Sequence, residues 1–163
     1  MALVPITQLN FADKSFSRPT TYSHAKGDLI TRIAAEEIQS IAEGMIISFL
    51  KEGETFKLVA VLGISNSHKN VYVTKKGKWI GAYVPARYRA YPFGLAELKE
   101  SKMLLCIDNR YPSIRNDLEG IRFFEADGSK SQYFTELTTF LAKLHEGILI
   151  TDAICAELAS LEC

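Results

Sequence analysis

The sequence predicts an α+β fold: an antiparallel β-meander or sheet, one helix in the N-terminal half and a helical C-terminal end. Three observations predict it. Strand-like runs cluster in the middle of the chain instead of alternating with helices, which argues against a doubly wound parallel sheet. Those runs are joined by short polar or glycine-containing turns of hairpin length. From Ser129 onward the apolar period becomes helical, with Phe134, Leu137, Leu141, Leu144 and Ile148 along one face.

Taken in order, residues 1–27 alternate weakly and carry Pro5, Pro19 and Gly27. They read as an extended arm that wraps the domain, with short strands around Leu3 to Thr7 and Thr20 to His24. A helix is expected from Asp28 to Glu43, because Leu29, Ile30, Ile33, Ile38, Ile41 and Ala42 fall largely at helical spacing. Asp28 can accept its first-turn amides, and Gly44 follows its end. Met45 to Lys51, Thr55 to Ile64 and Asn70 to Thr74 are rich in branched and aromatic residues and read as strands. Lys75-Lys76-Gly77-Lys78 turns the chain into a further strand, Trp79 to Tyr83, completing the meander.

Pro85 permits a helical turn over Ala86 to Ala90, and Pro92 ends it by pushing its predecessor out of helical geometry. Strands are expected at Phe93 to Leu98, Lys102 to Ile107 and Ile121 to Glu125. Ser129 with Gln132 matches a capping box, and a second helical stretch runs from Thr151 to Leu161.

A chain of 163 residues is read as a single domain, 1–163, able to bury roughly 70% of the surface its unfolded form exposes. The 19 basic and 19 acidic residues cancel, so composition points neither to nucleic acid nor to an anionic membrane as partner. Neutrality also removes a defence against self-association, so a homo-oligomer is compatible with it. The start MALVPITQLNF lacks the features of a secretory signal, and apolar runs such as Leu58 to Leu62 fall far short of the ~18 residues of a membrane span. A cytoplasmic location is therefore the expectation. Cys106, Cys155 and Cys163 have no disulfide-framework spacing and no zinc pattern, so no metal is expected, and Gly77 and Gly81 are too few to cradle a phosphate, so no cofactor is expected either.

The densest stretch is WIGAYVPARYRAYPF, residues 79–93. It holds Trp79, Tyr83, Arg87, Tyr88, Arg89, Tyr91 and Phe93, which suit either a packed corner or a recognition surface. Arg87 and Arg89 would diverge in a helical turn and share a face in an extended one. Either can offer a bidentate fork to a carboxylate or phosphate; alternatively one pairs with an acidic residue of the fold and the tyrosines cover the sheet. Cys106 in Leu104-Leu105-Cys106-Ile107-Asp108 invites a nucleophile reading, with Asp108 as orienter and His24, His68 or His145 as base. A thiol among aliphatics on a central strand also reads as a small buried hydrophobe, and Asp108-Asn109 as the start of an Asx turn. Lys75, Lys76 and Lys78 read as a solvated hairpin tip.

NVYVTKKGKWIGAYVPARYRAYPF, preceded by LVAVLGI and followed by MLLCIDN, resembles the SapC family of bacterial proteins. The MALVPI start, SRPTTYSHA and FFEADGSKSQYFTELTTFLAKL extend the likeness through nearly the whole chain. The resemblance implies a family named from surface-layer loci, without an agreed enzymatic activity or cofactor. It also implies that relatives lie beside genes for flavin-dependent halogenases and cupin-like oxygenases, and that members usually continue past the position of Cys163. The expected function is a non-enzymatic binding or accessory protein that contacts a protein partner through Trp79 to Phe93. Two other readings stay open. One is an enzyme or small-molecule binder with a pocket around Arg87, Arg89, Cys106 and Asp108. The other is a surface-layer component exported without an N-terminal signal.

Overall fold

The computed structural model describes residues 3–65, 67, 69–97 and 103–161. His68, Cys163 and the strand ends expected at Leu98 and Lys102 lie outside them. The elements in chain order are β1 (Leu3–Pro5), α1 (Gln8–Phe11), β2 (Ser15–Phe16), β3 (Ile30–Arg32), α2 (Ile38–Ala42), β4 (Ile46–Glu52), β5 (Thr55–Val61) and α3 (Ala86–Ala90), then β6 (Phe93–Glu97), β7 (Met103–Asp108), β8 (Ile114–Arg115), β9 (Ile121–Arg122) and α4 (Gln132–Ser160). Three antiparallel three-stranded sheets and a long C-terminal helix make this an α+β protein. The chain forms two compact units, Met1–Pro19 with Ala90–Lys143 and Thr20–Arg89 with Leu144–Cys163.

In the first unit β7 lies between β1 and β6, and β2 lies between β8 and β9. Its core is aromatic: Phe16 meets Phe93 edge-on at 5.0 Å, Phe11 meets Phe123 at 5.0 Å, and Phe134 of α4 meets Phe123 at 6.2 Å. Leu105, Ile107, Leu137 and Leu141 complete it. The N-terminal arm is therefore not a wrapping, because Ile6, Phe11 and Phe16 are buried core members. The elements of this arm, β1, α1 and β2, are two to four residues long, too short to leave a period in the sequence. The strand expected over Ile121 to Glu125 stops at Arg122, and Phe124 instead bridges to Lys130 across a turn in which Gly128 takes a φ of 84°. Ser131, not Ser129, caps α4: its Oγ accepts the Phe134 amide at 3.2 Å, which is the N-cap to N3 bond.

In the second unit β5 lies between β3 and β4. The β4–β5 hairpin turns at Gly53, whose φ is 60°. The helix expected from Asp28 to Glu43 is corrected to a strand, a short 3₁₀ turn at Ala35–Glu37 and the five-residue α2. Thr31 and Ile33 are buried while Ile30 is exposed, a period of two set by pairing with β5 thirty residues on. Thr20 to His24 is not a strand either, since Ser23–Ala25 is a 3₁₀ turn. Asn70 to Thr74 and Trp79 to Tyr83 share only the bridge Val73 to Trp79. There Asn70 bends the chain, its Oδ1 accepting the Tyr72 amide at 3.0 Å.

α4 is one helix where two were expected. At Gly147 the helix packs closely on Ala34, since an added Cβ would lie 3.2 Å from that side chain. Thr151 stays helical by donating its hydroxyl to the Gly147 carbonyl at 2.6 Å while accepting the Ala35 amide at 2.8 Å. Asp152 on the next position accepts from Arg32 and, at 2.9 Å, from Lys57. Burial works against its charge, but the two cations outweigh this and hold its carboxyl below the usual range. No helix among the described residues is long and apolar enough to cross a membrane.

Candidate functional site

Trp79 is the hub of the second unit. Its indole stacks on Tyr72 at 5.8 Å and meets Tyr22 and Tyr88 at 5.7 and 5.8 Å. Its Nε1–H donates to the Tyr83 carbonyl at 2.8 Å, folding the intervening residues back over the ring. Gly81 makes that return feasible: a Cβ there would stand 2.9 Å from Trp79 Nε1 and 3.1 Å from Tyr72 Cδ1.

α3 occupies the residues expected, Ala86–Ala90, and its helical geometry sends alternate residues to different sides. Ala86, Tyr88 and Ala90 are buried, whereas Arg87 and Arg89 are exposed. The Tyr88 hydroxyl donates to Asp28 Oδ2 at 2.8 Å; burial first, then that carboxylate, pushes the phenol strongly up. Arg89 donates to the Val84 carbonyl and to the Tyr83 hydroxyl, and lies over the Tyr83 ring at 5.4 Å. Tyr83 in turn donates to Glu37 Oε1 at 3.0 Å, so its hydroxyl joins a guanidinium to a carboxylate. Burial, then the charge of Glu37, raises the Tyr83 phenol despite the opposing Arg89.

Glu37 is the site residue sequence reasoning missed. Only 7% exposed, it also accepts the Ala86 amide at 2.7 Å and the Ala34 amide at 3.1 Å. Two of its partners, Tyr83 and Ala86, come from a segment nearly fifty residues on, and the third, the amide of Ala34 three residues back, carries no side-chain signal in the sequence. Arg87 differs from its neighbours: no hydrogen bond or ion pair engages its guanidinium among the described residues.

Tyr91, Phe93, Cys106 and Asp108 belong to the first unit. Phe93 is buried against Phe16, and half-buried Tyr91 meets Tyr111 edge-on at 5.7 Å. Cys106 is 1% exposed, and its Sγ is directed to the Leu104 carbonyl at 3.6 Å. Burial raises its thiol, away from the thiolate that a nucleophile needs. Of the candidate bases, His24 packs between Tyr22 and Tyr88 in the second unit, and His145 sits on α4.

Asp108 ends β7 and starts the turn, its Oδ1 accepting the Arg110 amide at 3.1 Å. The Arg110 guanidinium binds both carboxylate oxygens, at 3.1 and 2.9 Å. Those bonds hold the Asp108 carboxyl below its usual range against the opposing effect of burial. A depressed folded value gives stability that is full above the unfolded carboxyl value of ~3.9 and is lost as pH falls through the folded one. Asp108→Asn is therefore expected to cost ~1 kcal/mol near pH 7, because Arg110 is largely exposed and screened, and almost nothing near pH 2. Urea midpoints at the two pH values check this, and an equal cost at both would remove the charge from the account.

Among the described residues no group of three or more His, Cys, Asp or Glu side chains is arranged to hold a metal ion. Fold and site together define an α+β protein whose aromatic and arginine-rich segment turns its large rings inward and leaves guanidinium at the surface. The chain belongs to the SapC family, whose sequence profile matches residues 6–163. No curated protein and no solved structure matches it significantly.

Proposed function

We propose that this SapC-family chain is a non-enzymatic binding or accessory protein that contacts a protein partner through the exposed side of Trp79 to Phe93. The observation that carries the reading is the asymmetry of α3. Tyr88 anchors it from below, Arg89 is locked onto Tyr83, and Arg87 is left as an unengaged fork at the surface. A rigid support removes the cost of ordering the backbone on binding, and the planar fork loses less side-chain entropy per hydrogen bond it forms with a carboxylate, which suits a recognition anchor. The buried rings hold that support and are not themselves the contact.

Arg87→Ala is expected to leave the unfolding midpoint within ~0.5 kcal/mol of the parent while abolishing recovery of the partner from extracts of the native cell. A flavin-dependent halogenase or a cupin-like oxygenase is the first bait to test directly. Arg89→Ala should lower stability by ~1 kcal/mol by releasing Tyr83. Unchanged partner recovery by both variants would make the segment scaffold.

A further inference from the structure

Whole-chain neutrality hides a charge segregation. From Thr55 through Ala96 the sequence has Lys57, Lys69, Lys75, Lys76, Lys78, Arg87 and Arg89, and no Asp or Glu. Lys57 is paired with Asp152, a carboxylate it shares with Arg32, and Arg89 is tied to Tyr83. Lys69, Lys75, Lys76 and Lys78 are exposed, and no ion pair engages their ammonium groups among the described residues.

The backbone of the second unit sets exposed aliphatic side chains among these lysines. Ile64 is 84% exposed, Ile80 61% and Val71 57%. Asn70 is buried between exposed Lys69 and Val71, and Trp79 between exposed Lys78 and Ile80, so each pair points away from the core. The Ile80 amide donates to the Tyr72 carbonyl at 2.8 Å and the Val71 amide to the Leu62 carbonyl at 2.9 Å, which brings the three short segments side by side. The turn that carries Lys75 and Lys76 is fixed from beneath. Lys26 Nζ donates to the Lys75 carbonyl, and Gly77, at a φ of 83°, lies against Ser23 and Thr21. Two carboxylates border the face: Glu43, beside the Gly44 carbonyl that accepts the Tyr72 hydroxyl, and Asp28, beside the Leu29 carbonyl that accepts the Leu62 and Gly63 amides and itself engaged by the Tyr88 hydroxyl.

We propose that this face, Ile64, Lys69, Val71, Lys75, Lys76, Lys78 and Ile80, docks on an anionic lipid surface. Flexible ammonium groups around insertable aliphatic side chains match a diffuse layer of negative headgroups over hydrocarbon. A protein partner is the poorer match, because protein interfaces are depleted in lysine and anchored by aromatic residues and arginine. Single-stranded nucleic acid is poorer still, because Trp79 and Tyr88, the rings that could stack on bases, are buried. The proposal does not depend on Arg87.

The test is co-sedimentation of the full chain with vesicles of phosphatidylcholine alone and of equal parts phosphatidylcholine and phosphatidylglycerol. Binding is expected only to the mixed vesicles, falling as salt rises. The triple variant Lys75→Gln, Lys76→Gln, Lys78→Gln should partition about a hundred-fold less, at about five-fold per lysine. Ile80→Ser, with every charge kept, should lose about ten-fold through the lost insertion of one aliphatic chain. Lys51→Gln with Lys143→Gln should bind as the parent does, and circular dichroism should show all variants folded. The proposal is overturned by equal binding to both vesicle types, by no binding to either, or by full binding of the triple variant. Capture of an oligonucleotide or of polyglutamate without vesicle binding also overturns it.

Discussion

Trp79→Ala is expected to remove about 3–5 kcal/mol from the unit formed by Thr20–Arg89 and Leu144–Cys163. The indole is 8% exposed and fills the space between Tyr22, Tyr72 and Tyr88, so its loss leaves a cavity that three rings on separate segments cannot close together. It also orphans the Tyr83 carbonyl, and with it the return of residues 80–83 over the ring. Trp79→Phe keeps most of the ring volume and loses the Nε1–H donor, so its cost should stay near 1–2 kcal/mol. Trp79 is the chain's single tryptophan, so the variants are followed by far-ultraviolet circular dichroism in urea rather than by fluorescence. An unchanged midpoint for Trp79→Ala would mean that the cluster is surface decoration.

How far this arrangement is legible in the sequence depends on the range of the interactions that set it. The β4–β5 hairpin, α3, β6 and β7 follow from alternation, turn residues and proline positions within a few residues of each element, and they fall where those signals put them. β3 does not, because Leu29 and Ile33 fit a helical period as well as an alternation through Thr31 that leaves Ile30 outside, and pairing with β5 decides between them. The same limit governs the site. Helical spacing separates Arg87 from Arg89, yet which residue is engaged depends on Tyr83, and Tyr83 is held by Glu37. The pairs Tyr88 with Asp28 and Asp152 with Arg32 likewise join positions that no local pattern connects. The cationic run from Thr55 to Ala96 is legible in the chain itself, but its meaning needs the exposures of Ile64, Val71 and Ile80, which the apolar pattern alone would assign to a core.

Glu37→Ala is the second substitution with a large expected effect, again about 3–5 kcal/mol. One buried carboxylate satisfies three donors, the amides of Ala34 and Ala86 and the hydroxyl of Tyr83. Alanine strands both amides in a protein interior and leaves the Tyr83 hydroxyl without its acceptor, while Arg89 loses the anion that balances it one bond away. Glu37→Gln separates shape from charge. A glutamine oxygen can still take the Ala86 amide and the tyrosine hydroxyl, but its NH₂ group meets the Ala34 N–H donor head-on, so roughly 1–3 kcal/mol should be lost. Urea denaturation of the two variants orders these costs. Because Glu37 anchors the start of α3 through Ala86, Glu37→Gln should also weaken partner recovery through Arg87, whereas Arg87→Ala weakens recovery without touching stability. If Glu37→Ala unfolds no more readily than the parent, the carboxylate is not the post on which α3 and its arginines stand.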